Sequence, residues 1–236
     1  MKLKILLPVI ILILVLAVLF WSLNSKPIMN PEPIQKTEGE ITYISLGDSY
    51  TIGNGNLEEE RWPNVLTRHL NEAGIKVRLI ANPAVSGYTV QDAIQTELPI
   101  VKKLKPDFVT VLIGANDNFA QVPVLNYERD LKELLDKLQS MLKNPKNIVL
   151  ITIPDYSKSP AAAGYETSGT SESINEYNKI IKSEAEKRNL KVADIFTVSQ
   201  TMTGADDYIS DGLHPSAQGY AKWEKVIYPV VYEFLK

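Results

Sequence analysis

From residue 41 onward the hydrophobic positions follow two alternating periods. Short β-branched runs at 41–46 (ITYISL), 77–82 (VRLIAN), 108–113 (FVTVLI) and 147–153 (NIVLITI), with a shorter one at 190–194 (LKVAD), predict strands. Longer amphipathic stretches between them predict helices at Glu58–Glu72, Val90–Lys103, Tyr127–Leu142, Ser173–Asn189 and Ala217–Leu235. In the third of these, Leu131, Leu134, Leu135, Leu138 and Leu142 recur at helical spacing and make the apolar stripe that a helix needs to cover a sheet. Strand and helix in strict alternation imply a largely parallel sheet with helices on both faces. No internal repeat interrupts this plan.

The first forty residues follow a different pattern. Lys2 and Lys4 precede an uncharged run from Ile5 to Leu23, enough for a helix of about 28 Å, and Trp21 stands near its far end. Residues 1–24 therefore read as a retained transmembrane anchor or a cleaved signal sequence. Either places the rest outside the cytoplasm, anchored to the cell membrane or secreted. Residues 25–40 carry three prolines among polar and charged residues without periodicity, which reads as a flexible linker to a folded body at 41–236.

Composition narrows the chemistry. Among 236 residues, Lys and Arg total 25 against 28 Asp and Glu, so the formal charge of −3 offers no broad basic field for nucleic acid. Cysteine is absent, which excludes disulfides, thiolate nucleophiles and thiolate-bound zinc. Only His69 and His214 can supply an imidazole, and they lack a paired metal-ligand spacing, so a metal site is not expected.

In an open parallel sheet, ligands bind beyond the carboxyl ends of the strands. Four segments there carry chemistry. Gly47-Asp48-Ser49-Tyr50 follows the first strand, Asn82-Pro83-Ala84-Val85-Ser86-Gly87-Tyr88-Thr89 the second, and Gly114-Ala115-Asn116-Asp117 the third, while Asp211-Gly212-Leu213-His214-Pro215 precedes the last helix. Serine needs a base to take its proton, and a histidine serves only when a third group fixes its tautomer. Asp211, three residues before His214, can do so if the segment between them turns; Ser216 then caps the last helix. His69 falls inside a helical pattern and reads as a helix residue.

Attack of a serine on a carbonyl also requires donors for the oxyanion, and Ser49, Gly87 and Asn116 can supply a backbone N–H, a backbone N–H and a side-chain amide. Asp48 and Asp117 read as acids that brace their loops. Turn formation alone also accounts for each of these residues singly. The segment from Pro154 to Thr170 reads as a mobile rim or lid, a plain connector or a partner-binding loop, with Tyr50, Tyr88, Tyr156 and Tyr165 as candidates to line a substrate rim.

These four segments resemble the four blocks of the SGNH hydrolases, also called GDSL lipases and esterases. The resemblance covers about residues 41 to 236 and lies in the order and spacing of GDSY, NPAVSGYT, GAND and DGLHP; Tyr50 stands where the usual quartet has leucine. It implies a flavodoxin-like, three-layer α/β/α sandwich with a five-stranded parallel sheet. It also implies ester hydrolysis without a cofactor, with Ser49 as nucleophile, Asp211 and His214 as acid and base, and Ser49, Gly87 and Asn116 as the oxyanion hole. The expected substrates are acyl lipids or short-to-medium acyl esters. The alternatives are a cell-envelope carbohydrate O-acetylesterase and a non-catalytic surface binding domain. A nucleotide binder receives no support, because neither GxGxxG nor GxxxxGK[ST] follows the first strand.

Overall fold

The computed structural model describes residues 36–164 and 170–236, and Lys36–Lys236 form one compact unit. Five strands, β1 (Ile41–Gly47), β2 (Val77–Ala81), β3 (Phe108–Leu112), β4 (Ile148–Ile151) and β5 (Lys191–Ala193), make a parallel sheet in the order β2-β1-β3-β4-β5. The central strands are buried on both faces, which is why their sequences are apolar runs rather than alternating ones. Where they do carry hydroxyls, these pair internally: Thr110 Oγ1 of β3 lies 2.7 Å from the Tyr43 hydroxyl and 2.9 Å from Ser45 Oγ of β1. The strand order reverses direction beside β1, so the carboxyl ends of β1 and β3 bound a crevice of the kind that parallel α/β folds use for ligands.

Helices cover both faces. α1 (Ser49–Ile52) is a single turn, and α2 (Trp62–Glu72) buries Trp62, Leu66 and Leu70 against α9 (Ala217–Leu235), which contributes Tyr220, Trp223, Ile227 and Val231. On the other face lie α3 (Val90–Asp92), α4 (Leu98–Leu104), α6 (Val124–Met141) and α7 (Ser171–Arg188), with short α5 (Ala115–Phe119) after β3, whereas short α8 (Phe196–Ser199), after β5, packs on α9. The leucine stripe of α6 is buried as its spacing predicts, and Tyr127 stacks on Tyr177 of α7 with ring centroids 4.1 Å apart. The three-layer α/β/α sandwich with its five-stranded parallel sheet is thus the architecture of this chain.

Two predicted helices are interrupted by proline. The stretch expected at Glu58–Glu72 begins as a 3₁₀ turn at Glu58–Glu60, becomes extended at Arg61, and restarts with Pro63 in its first turn, where a missing N–H is tolerated. The helix expected at Val90–Lys103 contains a π-helical turn at Ala93–Glu97 between α3 and α4. Pro99 follows it, has no N–H for the Gln95 carbonyl and crowds it, so the helix widens ahead of the ring.

The expectation of attachment to the membrane is corrected. Among the described residues no helix is long and apolar enough to cross a membrane. The longest, α9, has 19 residues but carries Lys222, Glu224, Lys225 and Glu233. The segment 1–24, on which the anchor or signal rested, lies outside the described residues.

Candidate active site

The sharp exit from β1 builds the first wall. A Cβ on Gly47 would lie 2.3 Å from both Leu112 O and Thr51 Oγ1, so only glycine lets the chain pass between β3 and α1. Asp48 then caps α1: its Oδ1 accepts the Tyr50 N–H at 3.0 Å. Ser49 is the first residue of α1 and 7 % exposed. The turn is fixed from behind, since the Tyr50 carbonyl accepts Trp62 Nε1 at 3.1 Å and the Tyr220 hydroxyl at 3.0 Å.

Gly87 supplies the second wall with φ of +87°, a left-handed conformation, and no atom lies within 4 Å of where its Cβ would stand. The third comes from α5, where Asn116 Nδ2 donates to Tyr88 O at 2.9 Å and, at 3.4 Å, to Asp48 Oδ2. That amide therefore ties all three loops together. Asp117 does bracing of the same kind, its Oδ2 accepting the Val90 N–H at 3.1 Å.

The fourth wall is the loop before α9. Asp211 Oδ1 accepts the N–H groups of Leu213 at 2.8 Å and His214 at 2.9 Å, and Oδ2 faces His214 Nδ1 at 2.6 Å. The three-residue spacing closes because the carboxylate caps its own turn. Burial raises the Asp211 carboxyl, but the hydrogen bonds from the His214 ring and the two N–H groups outweigh it and hold it below the usual range. Ser216 Oγ accepts the Gly219 N–H at 3.2 Å, so the helix starts where its cap predicts.

Ser49, Gly87, Asn116 and His214 line one cavity of about 360 Å³ together with Tyr50, Ser86, Ala115, Phe119, Tyr156, Ala162 and Leu213. Of the tyrosines expected at the rim, Tyr50 and Tyr156 line it. Tyr50 packs its ring 5.5 Å from that of His214, and Tyr156 donates its hydroxyl to Asn118 Oδ1 at 2.7 Å. Tyr88 is absent from the lining and holds Asn116 through its carbonyl instead, whereas Tyr165 lies outside the described residues. His69 stands apart, with Nδ1 2.7 Å from Glu224 Oε1.

Several contributors are silent in the sequence. Phe119, Ala162 and Leu213 join the lining through tertiary folding alone. Asn56 Nδ2 donates to Pro215 O at 2.8 Å, pinning the 53–57 segment to the His214 loop. The stem of the 154–170 loop is held by Asp155, whose oxygens accept Ser157 Oγ at 2.5 Å, Ser171 Oγ at 2.6 Å and Gln200 Nε2 at 2.8 Å. Further along, the Ala161 N–H donates to Gly212 O at 3.0 Å and joins this rim to the Asp211–His214 turn.

Acidity around the crevice is unusual as well. Burial pushes Asp48 up to about 7 and Asp117 up to about 6, in each case against the backbone hydrogen bonds that the carboxyl accepts.

Residues 45–222 match the model of the GDSL-like lipase/acylhydrolase family. The chain belongs to that family. It is a GDSL-type carboxylic ester hydrolase, and the binding-domain alternative is set aside. Among similar proteins, the multidomain esterase of Ruminococcus flavefaciens is 27 % identical over 241 residues, 86 % of this chain, but the match spans only 30 % of that protein. An acetylxylan esterase of Geobacillus stearothermophilus is 27 % identical over 197 residues, 78 % of this chain and 81 % of its own length. Among solved structures, a lipase/acylhydrolase from Enterococcus faecalis superposes with a TM-score of 0.66 at 25 % identity, covering 83 % of this chain and 97 % of that one.

Proposed function

We propose that this GDSL hydrolase removes short acyl groups, acetyl above all, from carbohydrate esters through an acyl-enzyme at Ser49. The observation that carries the chemistry is the convergence of Ser49, Gly87, Asn116 and His214 on one cavity, with Asp211 on the far nitrogen of the imidazole. Sequence expectation put lipid-like esters first. Similarity to an acetylxylan esterase favours the carbohydrate alternative. The apolar side chains of Phe119, Tyr156 and Leu213 in the cavity favour the longer-acyl reading, which is retained as the second.

With Nδ1 facing Asp211, His214 has Nε2 to accept the Ser49 proton as Oγ attacks the ester carbonyl. The N–H groups of Ser49 and Gly87 and the Asn116 amide receive the oxyanion. Asn116 must then share or exchange its hydrogen bond to Tyr88 O, whose release would accompany formation of the tetrahedral intermediate. His214 returns the proton to the leaving alkoxide, and water repeats the sequence on the acyl-enzyme.

The test is a panel of acetylated xylooligosaccharides and 4-nitrophenyl esters of increasing chain length, run with residues 36–236 and with Ser49→Ala. The expected result is highest kcat/KM on acetyl esters and a loss of at least about a thousandfold in Ser49→Ala. An optimum at long acyl chains would turn the reading to lipid-like esters, and an unimpaired Ser49→Ala would remove Ser49 from its role.

A further inference from the structure

Behind the Ser49 loop lies an acid that the proposed reaction leaves unused. Glu97 is 0 % exposed, its Oε2 accepts the Gly47 N–H at 3.0 Å, and its Oε1 is buried without a hydrogen-bond partner. The residue closes the π-helical turn between α3 and α4, where the Leu98 N–H reaches back to Ala93 O. Helices widen in this way at functional sites more often than elsewhere. Here the widened turn delivers a carboxyl to the one strand end that turns into Ser49.

The surroundings decide which form of that carboxyl belongs there. A buried carboxylate needs a cation or several donors, and Glu97 has a single N–H. The titratable group acting on it is another acid, Asp48 from the β1–α1 junction. Asp48 itself faces Asp117 of α5, and among the described residues neither Lys nor Arg acts on Glu97 or Asp48. Burial, opposed by the Gly47 hydrogen bond and reinforced by Asp48, pushes Glu97 up to about 8. As a neutral acid, Glu97 can keep its Oε2 on Gly47. As an anion cut off from water beside Asp48, it is destabilised where it stands by more than the Gly47 N–H returns, and leaving for solvent would break that bond. No side chain could steady this strand end instead, since a Cβ on Gly47 would collide with Leu112 O and Thr51 Oγ1.

We propose that Glu97 is a positioning residue of this hydrolase that, in its uncharged form, holds Gly47 and thereby sets Ser49, and whose ionisation releases the Ser49 loop. The inference rests on Ser49 being the nucleophile. A core acid that only fills space would leave the pH dependence of turnover untouched, so that dependence is the readout.

The experiment measures kcat and KM on 4-nitrophenyl acetate, corrected for spontaneous hydrolysis, from about pH 6 to 9.5 for the wild type, Glu97→Gln, Glu97→Leu and Ser49→Ala, with a thermal melt of each. Glutamine keeps a neutral acceptor in place and cannot ionise. Wild-type kcat is expected to fall severalfold as pH passes about 8 with KM steady. Glu97→Gln is expected to keep its neutral-pH kcat within about threefold and to lose that fall, while Glu97→Leu loses about tenfold in kcat for want of one hydrogen bond. Coincident alkaline profiles for the wild type and Glu97→Gln would overturn the proposal, as would a folded Glu97→Leu with wild-type kcat. If Glu97→Leu does not fold, the Glu97→Gln profile decides alone. An active Ser49→Ala defeats the nucleophile instead, so the two failures are told apart.

Discussion

Asp211 does three things with two oxygens: it accepts two backbone N–H groups that shape its turn and presents its remaining oxygen to the imidazole. Asparagine at this position keeps the acceptors but offers an amide N–H₂ to His214 Nδ1, which then has to carry its own proton on the other nitrogen. Asp211→Asn is therefore expected to lower kcat at neutral pH by at least about a hundredfold with little change in melting temperature, measured by steady-state kinetics beside a thermal melt. Residues of this kind were legible before folding, because Gly, Asp, Ser, Asn and His at strand ends are turn chemistry and reaction chemistry at once. Glu97 was not. In sequence it is one acid within an amphipathic stretch, and only packing behind Gly47 distinguishes it from an exposed helix charge. Tyr88 misled in the opposite direction, since its position next to Gly87 pointed to the rim whereas its carbonyl proves to be the working group.

At the level of elements, the 154–170 rim depends on its stem. Asp155 accepts from Ser157 and Ser171 on the two sides of that loop and from Gln200 just beyond α8, and its own N–H donates to Ser199 Oγ at 2.6 Å. Asp155→Ala removes the acceptor shared by Ser157 Oγ, Ser171 Oγ and Gln200 Nε2 in a place 1 % exposed for the residue, leaving the two serine hydroxyls, 3.0 Å apart, a single bond to each other. With about 1–3 kcal/mol lost, the melting temperature is expected to fall by about 2–12 °C, as calorimetry of the variant beside the wild type would register. The main strands and helices could be read from periodicity because the central strands are unbroken apolar runs and α6 shows an unbroken stripe. What periodicity could not give was the interruption at Arg61, the π turn before Pro99, or the single turns α1 and α5. Each is shorter than the two turns over which an apolar stripe becomes visible, and α1 and α5 carry Ser49 and Asn116.

Across the whole molecule, Asp48, Glu97 and Asp117 make a buried acidic zone under one end of the sheet, each raised above its ordinary value. In the unfolded chain these groups release their protons near pH 4, whereas the folded protein keeps them until about 6 to 8, so the native state binds more protons throughout that window. Their contribution to stability is present in full below about pH 4 and is lost as pH rises through the folded values. Melting temperature is therefore expected to decline from about pH 4 to about pH 8, with Glu97 accounting for the uppermost part and Glu97→Gln flattening it, as a series of melts across that range would record. The bond from Ala161 to Gly212 gives the molecule a further property. It joins the rim to the turn that bears the imidazole, so a bulky alcohol that displaces Ala161 is expected to disturb His214 as well, and steady-state kinetics on alcohols of increasing size would then show kcat falling before KM rises.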